Sequence, residues 1–365
     1  MGQDGAVNTE SEDTMRMARI KNAPNEPGFY HIICRTVGKA FFLEEPTEKD
    51  RLLLWLYKAI AFCGVELRAW CIMSNHVHLL VKIPPRESIS DAELDRRMRI
   101  LYLPARYEAI MAQWSAWRRI DGNDRRIEAA KSLLRRRMYD ISWFMKTFKQ
   151  AAAQDYNARH EHSGSIWGGS RFKSVYLEGS LDVQLAVAAY IHLNPVRAGM
   201  VDAPDQYRWS SWADACAHPG TSREGLLRLY AGLFPVRGLT WRFVKAQFER
   251  LQANVTAQRT ALADLKTAAR SASSPTATTA STTPPPIARK LAAKSPEFTS
   301  SAALGSADFI QRLFRTPRAT TPPPSRVPRR PHRHLLQVAV TPSTSLCTLC
   351  TKALGRPSVA YTKHA

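Results

Sequence analysis

At 365 residues the chain has room for two domains, and 52 Lys and Arg against 31 Asp and Glu leave it a formal charge of +21. Such an excess favours a polyanionic partner. No apolar run is long enough to span a bilayer, which favours nucleic acid over lipid as that partner and makes no membrane contact the expectation.

The six cysteines are Cys34, Cys63 and Cys71 in apolar surroundings, Cys216, and Cys347 with Cys350 in a lone CTLC. They form neither a disulfide framework nor a strong zinc signature. The polar N-terminus lacks the apolar stretch of a secretory signal. A reducing, cytoplasmic compartment is expected.

In chain order, residues 1–25 read as a disordered leader. FYHIICRT at 29–36 is rich in aromatic and β-branched residues and predicts a strand, with Gly38 as its turn. EEPTEKDRLLLWLYKAIAFCG at 44–64 predicts an amphipathic helix capped by Thr47 and stopped by Gly64. ELRAWCIM at 66–73 and NHVHLLVKI at 75–83 predict a hairpin, with Ser74 and Asn75 at its turn. Because a strand alternates its faces, His76 and His78 leave the same side and their imidazoles can converge on one ion. Alone, such a pair is better read as one exposed histidine and one satisfied at a sheet edge.

Residues 84–140 open with Pro84 and Pro85 and continue as charged helical segments, a helical insertion. ISWFMKTFKQAAAQDYNARH at 141–160 has helical spacing, and GSIWGGSRFKSVYLE at 164–178 predicts a strand or extended segment. A helix starts near Ser180 and carries Tyr190 and Asn194, which a continuous helix sets on one face about 6 Å apart along its axis. Pro195 bends or ends it. Taken alone, Tyr190 is better read as a half-buried aromatic with its hydroxyl in water. LTWRFVKAQFERLQA at 239–253 predicts one more helix. Beyond Leu251 there are 16 basic residues and only three acids, Asp264, Glu297 and Asp308. That basic, Pro/Ser/Thr-rich tail, 251–365, is expected to be largely disordered. The central domain is expected over 26–250.

The order NHVHLL (75–80), IWGGSRF (166–172), YIHLNPVRAGMV (190–201) and YRWSSW (207–212) resembles the single-tyrosine HUH transposases. Within them the nearest branch is the REP-associated tyrosine transposases, with an IS200-like transposase domain. The resemblance covers roughly residues 25–215 and implies an α+β fold, a ferredoxin-like antiparallel sheet with packed helices. It implies that His76 and His78 hold a divalent metal, that Tyr190 is the nucleophile and that Asn194 is a third ligand. Asn75 stands where some relatives carry an acid, the insertion at 84–140 is longer than in compact members, and the tail has no counterpart.

The chemistry suits those residues. Attack on a phosphodiester builds negative charge on its oxygens, which a metal stabilises, and tyrosine can form the covalent intermediate. Imidazole and amide oxygen form a borderline ligand set, compatible with Mg2+ or Mn2+ when substrate phosphate completes it. The implied reaction cleaves and rejoins single-stranded, hairpin-forming DNA, such as repeated palindromic sequences, through a 5′-phosphotyrosine. Lys146, Lys149, Arg159, Arg171, Lys173 and Arg197 are expected near the strand path, with Trp167 or Phe172 to stack a base. In a cell the protein is then nucleoid-associated when bound to DNA. The alternative is a domesticated, non-catalytic DNA-binding protein of the same fold. A hydrolase of small phosphates is disfavoured by the basic surface and the tyrosine nucleophile.

Overall fold

The structure is a computed structural model, and it describes residues 19–121, 124–169, 172–231, 239–253, 255, 257, 297–315 and 339–340. Strand β1 (Gly28–Arg35) leads into helix α1 (Pro46–Cys63), then strands β2 (Glu66–Ile72) and β3 (His76–Ile83). Helices α2 (Asp91–Leu101), α3 (Pro104–Asp121) and α4 (Arg125–Arg135) make up the insertion, which is helical as expected. Helix α5 (Ile141–Arg159), strand β4 (Lys173–Leu177), helix α6 (Leu181–His192) and the short α7 (Asn194–Arg197) follow. Helices α8 (Ser211–Ala217), α9 (Thr221–Ala231) and α10 (241–253) come next. After them come α11 (Glu297–Ser300), β5 (Ala303–Ser306), α12 (Ala307–Arg315) and the two-residue β6 (Ala339–Val340).

The strands run in the order β2-β3-β1-β4-β5-β6. The first four pair antiparallel throughout, so a β-α-β-β unit plus a returning strand builds the expected ferredoxin-like arrangement. β5 runs parallel to β4 and makes the sheet mixed. It comes from the region expected to be tail. Most of 251–365 lies outside the described residues, Cys347 and Cys350 included, but 297–315 packs onto the sheet with Phe298, Ala303 and Leu304 buried.

Period-two alternation sorts the two faces. Tyr30, Ile32, Cys34, Leu79 and Val81 point to one side and bury against α1 and α5. Leu80, Val175 and Leu177 point to the other and bury against α6, α8, α9 and α10. Every residue of α6 is buried, Asp182, Gln184 and His192 included, as befits a predominantly apolar helix walled by the sheet on one side and helices on the other.

α1 begins at Pro46, whose fixed φ suits a first helical position, so Thr47 lies inside the first turn and does not cap it. Its end is as expected: Gly64 takes the left-handed conformation at φ 67° and its N–H donates to Ile60 O. The end of the expected leader, residues 19–25, is also more fixed than its composition suggests. Arg19 donates to Ser142, Phe172 and Ser174, and Asn22 Oδ1 accepts from the Tyr30 hydroxyl at 3.0 Å.

Two of the sequence motifs turn out to hold the sheet together. In YRWSSW, Tyr207 donates its hydroxyl to Ile72 O at 2.8 Å, Ile72 N donates to Trp209 O at 2.9 Å, and Ser211 Oγ accepts from Trp70 N at 2.8 Å. Those bonds occupy the outer edge of β2, which would otherwise offer unpaired backbone groups. In IWGGSRF, Gly168 N donates to Arg35 O at 2.8 Å. A Cβ at Gly168 would lie 2.8 Å from Thr36 O, so the approach requires glycine.

Candidate active site

β1, β3 and α6 bring the chemistry together on the second face of the sheet. His76 and His78 do leave the same side of β3, their ring centroids 5.0 Å apart. The antiparallel register sets Ile33 opposite His78 and Arg35 opposite His76. One pleat along β1 from Ile33, on the same face, stands His31, fully buried, with its ring stacked on His78 at 5.2 Å. From α6 above, the Tyr190 ring lies 5.8 Å from that of His31 and 5.9 Å from that of His78.

Burial holds all three imidazoles neutral. His31 and His76 are each pushed down to about 4, and His78 falls well below its ordinary value, with the neighbouring histidines, Arg35 and Arg197 adding to the effect on it. A neutral imidazole has one bare nitrogen, the state in which it binds a metal. Burial also raises the Tyr190 phenol, while Arg197 and Arg35 pull it down. Arg197 lies with its guanidinium carbon 4.5 Å from the centre of the Tyr190 ring and its Nη1 donates to Tyr190 O at 2.9 Å.

The other expected ligand stands differently from its prediction. α6 ends at His192 and α7 begins at Asn194, with Leu193 between them, so Tyr190 and Asn194 do not share one unbroken helix. The missing Pro195 amide accounts for the break. Asn194 Nδ2 is buried without a hydrogen-bond partner among the described residues. Among those residues no group of three or more His, Cys, Asp or Glu is arranged to hold a metal.

The expected DNA-contacting cations scatter. Lys146 and Lys173 are exposed, the first against the Trp143 ring. Lys149 is buried and donates to Gly169 O at 3.2 Å. Arg159 is clamped by Glu48 at 2.5 and 2.7 Å and by Asp155 at 3.0 Å. Arg197 belongs to the Tyr190 site, and Arg171 lies outside the described residues. Neither aromatic expected to stack a base is free to do so. Trp167 is a core residue donating Nε1–H to Lys149 O, and Phe172 is covered by Arg19 at 3.7 Å.

Sequence reasoning missed His31, Arg35 and Phe298. The last lies in α11, its ring stacked on Tyr190 with centroids 5.0 Å apart, and its carbonyl faces His31 Nδ1 at 2.6 Å. His31 and Arg35 had a signal, since β1 and a paired β3 bring same-face residues together. Phe298, in a Ser/Thr/Pro-rich region, had none.

The family described as Transposase IS200 like matches residues 28–93. Over that stretch this chain is IS200-transposase-like. The IS200-like stretch spans β1 to the start of α2 and contains His31, Arg35, Asn75, His76 and His78, while Tyr190 and Asn194 lie beyond it. A solved structure described as a REP-associated tyrosine transposase bound to a REP hairpin matches 62% of this chain and 94% of its own, at 16% identity and a TM-score of 0.32. No curated protein matches the chain. Among the described residues, no helix is long and apolar enough to cross a membrane.

Proposed function

We propose that this protein is a transposase-like DNA-strand transferase that cleaves and rejoins single-stranded, hairpin-forming DNA through Tyr190. The observation that carries the reading is the run of ring contacts from His76 to His78 on β3 and from His78 to Tyr190 on α6, in a chain whose residues 28–93 match the IS200-like family. The Tyr190 phenol gives up its proton to solvent and its oxygen attacks phosphorus. A Tyr–O–P bond forms, the P–O3′ bond breaks, and the 3′-oxygen leaves as a hydroxyl after taking a proton. The same steps reversed onto another 3′-hydroxyl join strands, because the phosphotyrosine keeps the bond energy. Arg197 and Arg35 favour the phenolate and the charge that grows on the phosphate.

The donor set fits a divalent metal, Mg2+ or Mn2+. Two neutral histidines stand on one strand face, and the Asn194 amide has an orphaned buried position that its oxygen would fill on a 180° turn of the side chain. When bound, such an ion supplies positive charge to the phosphate oxygens. His76, His78 and Asn194 would hold it. Lys146, Lys173 and Arg171 are the cations proposed for the strand path, and the protein is proposed to work in the cytoplasm, on the nucleoid when bound to DNA.

A second reading, a non-catalytic DNA-binding protein of this fold, draws on one observation. Tyr190 is only 8% exposed, lying under Phe298. The two readings separate when the full chain is incubated with hairpin-forming single-stranded oligonucleotides and Mn2+. Strand transferase activity leaves a covalent protein–DNA adduct on denaturing gels that peptide mapping places on Tyr190. DNA binding without an adduct would establish the second reading, and an adduct mapped to Tyr176 would overturn the assignment of the nucleophile.

A further inference from the structure

Two hydrogen-bond chains end on the paired histidines, and both start at backbone carbonyls, which can only accept. In the first, Phe298 O faces His31 Nδ1 at 2.6 Å, so the proton of His31 is on Nδ1. Its Nε2 is then bare and lies 3.0 Å from His78 Nδ1, which must therefore donate. In the second, Asn75 Nδ2 donates to Lys39 O at 3.1 Å, which fixes the amide orientation and leaves Oδ1 as the atom 2.7 Å from His76 Nδ1. An amide oxygen only accepts, so His76 Nδ1 also carries its proton.

We infer that His31 and Asn75 are positioning residues that lock His78 and His76 in the Nδ1–H tautomer, leaving both Nε2 atoms bare toward a divalent cation. Residue 75 then acts on His76 and does not serve as a ligand itself, and the far end of the His31 chain is anchored by α11, from the C-terminal region. The carbonyls of Phe298 and Lys39, which only accept, make each chain directional, and an imidazole that binds a metal has one bare nitrogen, here Nε2. Partners of this kind fix ring orientation and ligand basicity in metal sites generally.

The inference rests on the metal-binding part of the proposed function, but its first test needs neither metal nor DNA. Long-range 1H–15N spectra of the metal-free wild-type protein, with histidine labelled, report which nitrogen of each ring is protonated. Nδ1–H on both His76 and His78 is expected; Nε2–H on either overturns the chain that ends there. His31→Phe keeps the bulk of the ring and removes the acceptor. It is expected to release His78 to the Nε2–H form, leave His76 unchanged, and weaken Mn2+ binding, read by electron paramagnetic resonance, by about 10–100-fold. Asn75→Leu should do the converse at His76, and Asn75→Asp, which keeps an acceptor, should restore it. Unchanged tautomers and Mn2+ affinity in both His31→Phe and Asn75→Leu would sink the proposal. If a variant fails to fold, the wild-type spectrum still decides. Expected tautomers with no DNA adduct would fail the transferase reading alone, whereas an adduct with the opposite tautomers would fail this inference alone.

Discussion

Phe298 stacks face to face on Tyr190, with ring planes within 20° of each other. That contact joins a residue of the C-terminal region to α6 and keeps water off the phenol ring, whose pKa burial raises. Phe298→Ala should therefore bring the Tyr190 titration down toward the ordinary value of about 10. Tyrosine Cζ labelling and carbon NMR would follow it against pH. The same change empties a buried ring volume and should lower stability by about 3–5 kcal/mol. A midpoint that stays raised would mean that other residues packed around the ring desolvate the phenol.

The arginines act in the opposite sense. Arg197 packs on the Tyr190 ring and Arg35 stands at the end of β1 opposite His76, and both draw the phenol pKa down. Removing either charge, as Arg35→Gln or Arg197→Gln, should raise that pKa. Below it the phenolate fraction falls about tenfold per unit of pKa rise, so adduct formation at neutral pH should slow about tenfold if the shift is about one unit. The rate profile should move to higher pH. An unshifted profile with a lower plateau would instead assign these cations to phosphate contact.

Much of this was legible in local sequence. Aromatic, β-branched and apolar runs located β1, β2 and β3, and period-two alternation set His76 and His78 on one face, because both signals depend only on neighbouring residues. The helices from 46 to 63 and from 141 to 159 carried their own apolar stripes, and the first its Gly64 stop, whereas the Asp140 side chain that caps the second is seen only in the structure. What stayed hidden depends on partners far along the chain. Arg159 reads as a free cation until α1 brings Glu48 to it, and Trp167 reads as a stacking platform until α5 covers it. His31 reads as any strand histidine until Phe298 O and His78 meet its two nitrogens. Nothing in a Ser/Thr/Pro-rich composition announces that 297–306 will supply a helix turn and a strand to the sheet.

The Arg159 clamp is a stability element with a defined pH window. Hydrogen bonding to Arg159 first, then to His160, holds the Glu48 carboxyl below its ordinary value against the opposing effect of burial. A carboxylate depressed in the fold stabilises above its unfolded pKa of about 4.3, and that contribution is lost as pH falls through the lower folded value. Arg159→Met should cost about 1–3 kcal/mol at pH 7, since Glu48 would keep a buried charge with fewer partners, and should flatten the acid limb of stability below about pH 4.3. Urea melts across pH 3–7 would show it. Hairpin-DNA affinity at fixed salt should hardly change; a large loss of affinity without loss of stability would return Arg159 to the strand path.

Tyr190→Phe isolates the hydroxyl. The phenyl ring that remains still stacks on Phe298 and still lies under Arg197, whose bond to residue 190 is to the backbone oxygen and does not involve the side chain. Packing is thereby preserved, and stability should stay within about 1 kcal/mol of the parent, as expected for a nearly isosteric change that loses no side-chain hydrogen bond among the described residues. The chemistry should disappear, because no other oxygen occupies that position. With hairpin-forming single-stranded DNA and Mn2+, the variant should bind with parental affinity and the same salt dependence yet leave no covalent adduct and no cleaved strand. Residual adduct would place the nucleophile elsewhere, and joint loss of binding and adduct would mean that the hydroxyl holds DNA and does not attack it.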